Sequence, residues 1–191
     1  MLSDRDLRAA VRNGELAFTP RIRQSQIGPA SIDLRLGKKF MVFKLGRAVC
    51  LDPKQGLPKE HMEAYVLENG KPFVLHPNAF VLTSTWEYIK VGSNLAVRVE
   101  GKSTLARMGI LVHTAGFVDP GYEGPITLEI SNHSGLPVLL YSGMYICQVA
   151  VHELSSPAEV PYNLRKRSAY KKDTHNKNGG PTPANTKNLF K

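Results

Sequence analysis

One short stretch of this chain concentrates residues that could act on a phosphorylated substrate. Residues 99–109, Val-Glu-Gly-Lys-Ser-Thr-Leu-Ala-Arg-Met-Gly, combine a glycine turn with a lysine, two hydroxyls and an arginine. Further on, residues 119–124 are Asp-Pro-Gly-Tyr-Glu-Gly, and Glu129 follows in an apolar segment. Backbone N–H groups at the start of a helical turn, together with an ammonium group, can bind phosphate oxygens. Carboxylates and hydroxyls can move protons and orient water. This density of polar groups predicts an active site.

The stretch is expected to contain a short helical turn. Gly101 should end a strand, and Ser103 should cap a turn over residues 104–108. Gly109 should end that turn. The Gly-Lys-Ser-Thr run is similar to the end of an ATP-binding P-loop, but that motif needs a glycine at position 96, which is alanine. The sequence therefore excludes a P-loop ATPase.

A zinc-dependent deaminase is excluded by the motif that such enzymes require. They combine His-x-Glu with a later Pro-Cys-x-x-Cys, whose cysteines hold the metal. Residues 61–63 match the first half, but the two cysteines, Cys50 and Cys147, lie far apart in the chain. Neither metal-ligating residues nor a disulfide framework is predicted. Both cysteines are expected to be buried small hydrophobic residues.

Most of the net charge lies near one end of the chain. The 191 residues carry +9, of which residues 163–191 contribute +7 and the rest only +2. The basic segment is rich in Pro, Gly, Asn and Lys and cannot form a core of its own. It could bind nucleic acid, close over a phosphate-bearing ligand or stay solvated. The preceding residues are apolar enough for one domain with a continuous core.

No apolar stretch approaches the length of a membrane span, and the first residues do not have the pattern of a signal segment. We therefore expect a cytoplasmic protein that does not interact with membranes.

The elements that must position the polar residues are mostly short strands. Apolar and polar residues alternate over 31–36 and 97–100. Turn residues separate these segments at intervals of about 8 to 12 residues, which is typical of β-barrels and jelly rolls. Further short β-branched segments lie around Val81 and over residues 126–130, 137–141 and 146–151.

One helix is expected near the start of the chain. Ser3 and Asp6 have the spacing of a capping box, and Leu2 can pack on Leu7. Gly14 should end the helix. The apolar stripe that should face the core consists of Leu7, Ala10 and Val11.

Five ordered motifs make the chain resemble the dCTP deaminase family, which belongs to the trimeric dUTPase superfamily. The resemblance implies a mainly β, distorted jelly roll over residues 1–162 with a short N-terminal helix. It also implies a flexible tail, 163–191, that acts as a lid, and a homotrimer whose active sites lie between subunits. The motifs are residues 2–6 (Leu-Ser-Asp-Arg-Asp), 29–37 (Pro-Ala-Ser-Ile-Asp-Leu-Arg-Leu-Gly), 101–109, 115–121 (Ala-Gly-Phe-Val-Asp-Pro-Gly), and 161–162 with 180–183 (Pro-Tyr and Gly-Pro-Thr-Pro).

The resemblance assigns roles to individual residues. Glu129 matches the catalytic carboxylate, which would take a proton from the attacking water and pass protons to N3 and the amino group of cytosine. Ser103 and Arg107 match catalytic residues that come from a neighbouring subunit, where the hydroxyl orients water and the guanidinium offsets negative charge. The implied substrate contacts are Lys102, Ser103, Thr104, Leu105, Ala106, Arg107, Asp119, Thr127, Leu128, Glu129, Gln148 and Tyr162.

Among these contacts, Asp119 would meet the deoxyribose, and its counterpart in dUTPases acts as the base for attack on the α-phosphate. Gln148 and Tyr162 would lie near the phosphates. The backbone of Thr127 and Leu128 would contact the edge of the base.

The implied reaction is zinc-independent hydrolysis of dCTP, with Mg²⁺ carried on the triphosphate and dTTP as an inhibitor. Residues 115–119 look more like those of bifunctional members, which also release pyrophosphate and form dUMP. A dUTPase on the same fold stays open as an alternative. So does a non-catalytic nucleotide-binding or nucleic-acid-binding module that uses the basic tail, although nucleic acid is not the expected partner.

The chain departs from the family pattern at two places. It is one residue shorter within 112–116, a loop that helps to hold the catalytic water in the family. In the tail, Ala169 stands where a lysine is expected, and an insertion at about 173–178 precedes Gly180. Lys171 and Lys172 are the candidates to replace the missing phosphate contact.

Overall fold

A computed structural model describes residues 1–44, 50–55, 59–113, 116–168, 170, 181 and 184. Its elements are mostly strands, which confirms the mainly β fold predicted from the alternating segments. In chain order they are α1 (Asp4–Asn13), β1 (Leu16–Thr19), β2 (Ile32–Arg35), β3 (Lys39–Phe43), β4 (Met62–Val66), β5 (Phe73–Leu75), β6 (Phe80–Val91), β7 (Leu95–Gly101), α2 (Ser103–Ala106), β8 (Ile110–His113), β9 (Phe117–Val118), β10 (Glu123–Asn132), β11 (Val138–Leu140) and β12 (Tyr145–Glu153), with 3₁₀ turns at Gln24–Gln26 and Lys59–His61.

The strands form two large antiparallel sheets and one small one. The larger sheet has the order β4-β3-β6-β10-β8, with β1 also paired to β6, and the second has the order β2-β12-β7-β9. Strands β11 and β5 pair separately. The apolar residues of the alternating segments face inward: Leu34 on β2 and Val97 on β7 are completely buried. The period-two pattern therefore identified the core face of these two strands of the second sheet.

Helix α1 begins and ends as the sequence predicts. Ser3 is its N-cap, and Gly14 ends it in the left-handed conformation with φ +79°. The predicted capping box is not formed, because the Ser3 hydroxyl donates to the Asp6 carboxylate (3.1 Å) and accepts no bond from the helix backbone. Leu7 and Ala10 are buried, so the apolar stripe packs on the core as expected.

The two cysteines differ in their surroundings. Cys147 is completely buried in β12, but Cys50 is exposed, so the expectation that both are buried was wrong for Cys50. Cys50 belongs to no helix or strand and lies between β3 and β4 in the chain. Burial raises the pKa of the Cys147 thiol far above its usual range, which keeps the thiol protonated.

Neither helix in the described part of the chain has the length and apolar character of a membrane span.

The two large sheets are joined by a buried ion pair. Glu87 on β6 is completely buried, and its carboxylate accepts hydrogen bonds from the backbone N–H (2.8 Å) and Nε (2.7 Å) of Arg35 on β2. Gln26 Nε2 donates to the same carboxylate (3.2 Å). The Arg35 guanidinium also lies 5.6 Å from the centre of the Trp86 ring. A buried carboxylate needs such a set of donors to offset the loss of its hydration.

Glu87→Ala should lower the free energy of unfolding by about 3 kcal/mol, because it leaves the Arg35 donors without their acceptor and removes one of the two acceptors of Gln26 Nε2. Urea unfolding measures the change. The matched control is Glu100→Ala, which breaks an exposed pair with Arg98 and should cost less than about 1 kcal/mol. Equal losses in the two variants would contradict the role given to Glu87.

Candidate active site

Glu129 lies in the middle of β10, between two neighbouring strands. It pairs with Leu82 on β6 and with His113 on β8. The side chain is partly buried, and this burial raises the pKa of the carboxyl, while a hydrogen bond from its own backbone opposes the shift. No ion pair found among the described residues involves Glu129. A carboxyl whose pKa is raised toward neutrality can both accept and return a proton, as general acid–base chemistry requires.

The chain leaves β7 at Gly101, forms α2 and returns as β8, the strand beside Glu129. Gly101 lies against Val112 of β8, where a β-carbon at position 101 would make an ordinary contact at 3.5 Å. Gly109 has φ +81° and approaches Ser134, where a β-carbon would be 2.8 Å from the backbone nitrogen. Gly109 therefore allows the close approach that holds the end of α2 against the Ser134 backbone.

Helix α2 begins one residue earlier than the sequence predicts. Its N-cap is Lys102, whose carbonyl accepts the N–H groups of Leu105 and Ala106, both at 3.0 Å. Ser103 is therefore the first helical residue, and the prediction that it caps the helix was wrong. Buried Leu105 anchors the turn, while the exposed residues that it presents to solvent are Ser103, Thr104, Ala106 and Arg107.

Lys102 does not stand alone at the start of α2. Its Nζ lies 2.7 Å from Asp33 Oδ1 on β2, and both side chains are about three-quarters buried. Gln148 on β12 pairs with Asp33, and its Oε1 accepts a hydrogen bond from the Ser31 hydroxyl (3.3 Å). Lys102 and Gln148, both predicted substrate contacts, thus belong to one polar cluster with Asp33 and Ser31. Sequence reasoning missed Asp33 and Ser31, although both occupy polar positions of the alternating 31–36 segment.

Asp119 follows β9 and begins a tight turn. The Tyr122 N–H donates to the Asp119 carbonyl (3.1 Å), and the Tyr122 hydroxyl donates to the carbonyl of Pro125 on β10 (2.7 Å). The Tyr122 and Tyr162 rings meet edge to face, with centroids 5.7 Å apart. Residues from two distant parts of the chain, Asp119 and Tyr162, are therefore neighbours through Tyr122.

The structure gathers the predicted residues into separate groups. Thr127, Leu128 and Glu129 share β10, where Leu128 is buried and only its backbone can face a ligand. Ser103 and Arg107 form no hydrogen bond or ion pair with Glu129 among the described contacts of this single chain. The shortened loop falls partly on residues 114 and 115, and Ala169, Lys171, Lys172 and the tail insertion also lie outside the described residues.

The fold of this chain is also found among solved structures of nucleotide-hydrolysing enzymes. It is similar to 2′-deoxycytidine 5′-triphosphate deaminase from Agrobacterium tumefaciens, with a TM-score of 0.61 and 22% sequence identity. The similarity covers 80% of this chain and 47% of that one. At this level of identity the likeness concerns the fold alone, and it confirms the predicted mainly β fold with a short N-terminal helix.

Sequence comparison is more specific. A family model described as dCTP deaminase-like matches residues 1–154. A protein of Dictyoglomus thermophilum named "dCTP deaminase, dUMP-forming" is 49% identical over 181 residues, or 94% of this chain and 91% of the relative. A protein of the same name from Methanobrevibacter smithii is 44% identical over 171 residues, or 88% of each chain. The chain belongs to the dCTP deaminase-like family, which confirms the resemblance drawn from the five motifs.

The raised pKa of Glu129 predicts a pH-dependent effect on stability. A carboxyl whose pKa is higher in the folded state stabilises the fold at low pH, and this contribution is lost as pH rises through the folded pKa. Glu129→Gln should therefore match the unmodified chain in unfolding temperature below the usual glutamate pKa of 4.5 and exceed it at neutral pH. Exposed Glu159→Gln is the control. A difference that does not change with pH would contradict the assignment.

Proposed function

We propose that this chain hydrolyses dCTP without zinc, releasing ammonia and then diphosphate to form dUMP, in pyrimidine deoxynucleotide synthesis. The observation that carries the proposal is the partly buried Glu129, with its raised pKa, on a strand of the fold that characterises the dCTP deaminase-like family. The names of the relatives support the dUMP-forming version.

In the first step, water attacks C4 of cytosine while the Glu129 carboxylate takes its proton. Glu129 returns this proton to N3, and the leaving amino group then receives the second proton of the water as the C4–N bond breaks. The products of this step are ammonia and dUTP, which stays bound for the second step. Ser103 orients the water, and Arg107 offsets the negative charge that develops. A single carboxyl can do this work because its pKa lies closer to neutrality than that of an exposed glutamate.

In the second step, a further water attacks the α-phosphate, with Asp119 as its base, and diphosphate leaves. Mg²⁺ enters as part of the substrate, on triphosphate oxygens that suit its preference for oxygen ligands. Lys102 and Gln148 bind the phosphates from the second sheet, and Asp33 then shares the Lys102 ammonium with the nucleotide. Tyr162 lies beside Asp119 through its contact with Tyr122.

The active enzyme in this proposal is a homotrimer with shared sites. Ser103 and Arg107 point to solvent from α2 and are separate from Glu129 in the single chain. Met108 after α2, Leu111 on β8 and Phe117 on β9 are large apolar side chains that are 52%, 43% and 60% exposed. A neighbouring subunit would cover this apolar surface and bring its own Ser103 and Arg107 to Glu129. Inhibition by dTTP, a lid formed by the tail and a cytoplasmic location are further parts of the proposal.

With labelled dCTP and Mg²⁺, the chain should form dUMP with little free dUTP. Glu129→Gln should reduce ammonia release by at least about 100-fold, because proton transfer is lost while the shape is kept. Separate assays of ammonia and diphosphate, with calorimetry of dCTP binding, provide the measurements. Accumulation of dUTP would contradict the dUMP-forming version. Diphosphate release from dUTP without ammonia from dCTP would establish the dUTPase alternative, and tail-dependent DNA binding without turnover would establish the binding module.

Shared sites predict that two inactive variants restore activity when they are mixed. Trimers assembled from equal amounts of Glu129→Gln and Arg107→Ala should regain about a quarter of the unmodified rate, because that share of interfaces pairs two intact surfaces. The control is a mixture of Ser103→Ala and Arg107→Ala, in which both variants damage the same surface and no intact site can form. Ammonia release after co-refolding measures the result. Equal activity in the two mixtures would contradict a shared site.

A further inference from the structure

A second part of the chain supports the turn that carries Asp119. We use the term tail base for residues 161–168 together with Tyr170. The tail base lies against the turn formed by residues 119–122, and the backbone N–H of Tyr162 donates to the Pro120 carbonyl (2.8 Å). Strands β10, β11 and β12 lie between these two segments in the chain, so the segments come into contact only when the chain folds.

Gly121 provides the seat for the tail base. A β-carbon at this position would lie 2.6 Å from the Pro161 β-carbon, 2.8 Å from Asn163 Oδ1 and 3.2 Å from the Tyr162 backbone nitrogen. The residue also has φ +79°, where side chains are strained. Position 121 therefore needs glycine for two reasons, and one of them is the tail base.

Tyr162 is the centre of the contact. Its ring packs edge to face on Tyr122, with centroids 5.7 Å apart. Its carbonyl accepts a hydrogen bond from the Ser168 hydroxyl (2.7 Å), and its own hydroxyl accepts the backbone N–H of Tyr170 (2.9 Å). The Leu164 and Arg165 N–H groups both donate to the Pro161 carbonyl, which closes the tail base into a compact turn. Tyr162 thus connects the turn formed by residues 119–122 with Tyr170 at the far end of the tail base.

The turn formed by residues 119–122 is also held by the larger sheet. Gly121 N–H donates to the Val91 carbonyl and Val91 N–H donates to the Tyr122 carbonyl, both at 3.0 Å. The Tyr122 hydroxyl reaches the Pro125 carbonyl. Asp119 is therefore positioned by two supports, β6 with β10 on one side and the tail base on the other.

We propose that the tail base positions the Asp119 turn for the deoxyribose of the nucleotide, with Gly121, Tyr162 and Ser168 as positioning residues. The proposal rests on the function proposed above and assigns Tyr162 a role through the turn in addition to its predicted place near the phosphates. Displacing the tail base should weaken nucleotide binding in the ground state and the transition state alike. Such a loss raises KM and leaves kcat for ammonia release nearly unchanged, because Asp119 acts as a base only in the later attack on the α-phosphate.

The test compares Gly121→Ala with Gly70→Ala. Gly70 lies in the turn between β4 and β5 and has φ +80°, and a β-carbon at this position would meet no other atom within 4 Å. Both variants therefore carry the same left-handed strain, and only Gly121→Ala collides with the tail base. Ser168→Ala is a milder third variant, which removes one hydroxyl outside the predicted substrate contacts.

Hydrogen exchange in the absence of nucleotide measures directly whether Gly121 holds the tail base in place. In Gly121→Ala, the Tyr162, Leu164 and Arg165 amides should exchange at least about 10-fold faster. Gly70→Ala should leave their rates unchanged. Unchanged protection in Gly121→Ala would overturn the proposed seat. This measurement involves no catalysis. A chain that fails to turn over dCTP would refute the proposed function, whereas the packing of the tail base on Gly121 is tested by hydrogen exchange alone.

Kinetics then test the positioning role. With ammonia release as the assay, KM for dCTP should rise about 10-fold in Gly121→Ala and about threefold in Ser168→Ala, and kcat for this step should stay within about twofold in both. Gly70→Ala should leave both constants unchanged. Faster exchange of the tail base with unchanged KM would overturn the role of the tail base in positioning Asp119. A fall in kcat at constant KM would overturn it as well, because the loss would then concern the chemical step.

Discussion

The buried carboxylate of Glu87 joins the two large sheets, and the arrangement of the candidate site depends on this joint. Through Arg35 it connects β6 of the larger sheet with β2 of the second sheet. Strand β6 pairs with β10, which carries Glu129, while β2 leads through β12 to β7 and then to α2. The buried Glu87 carboxylate therefore links the strand that carries Glu129 with the sheet that leads to Lys102, which is proposed to bind phosphates.

Two carboxylates of the site have opposite electrostatic surroundings. Glu129 is partly buried beside apolar strands, and burial raises its pKa. Asp33 lies on a neighbouring polar face and forms an ion pair with Lys102. Desolvation prepares the first group for proton transfer, whereas the second group holds a cation in place. The proposed chemistry follows from this division, since one carboxylate moves protons and the other keeps a phosphate-binding lysine oriented.

The single chain holds only part of the proposed site. Helix α2 is rigidly attached through buried Leu105, yet it presents Ser103 and Arg107 outward among exposed apolar side chains. In the further proposal, the Asp119 turn depends on the tail base, which follows β12 in the chain. Both features connect nucleotide binding with packing between distant segments, one within the chain and one between the proposed subunits.

The sequence by itself determined the features that depend on neighbouring residues: the inward faces of β2 and β7, the bounds of α1, and the glycines that frame α2. Its ordered motifs also identified the family and the candidate residues. Tertiary structure decided which residues become partners, such as Lys102 with Asp33, 69 residues apart, and Arg35 with Glu87, 52 residues apart. It also left Cys50 exposed and made Lys102 the cap of α2. Periodicity and turns are local properties of the chain, whereas burial and pairing depend on strand order and register, which a linear pattern does not contain.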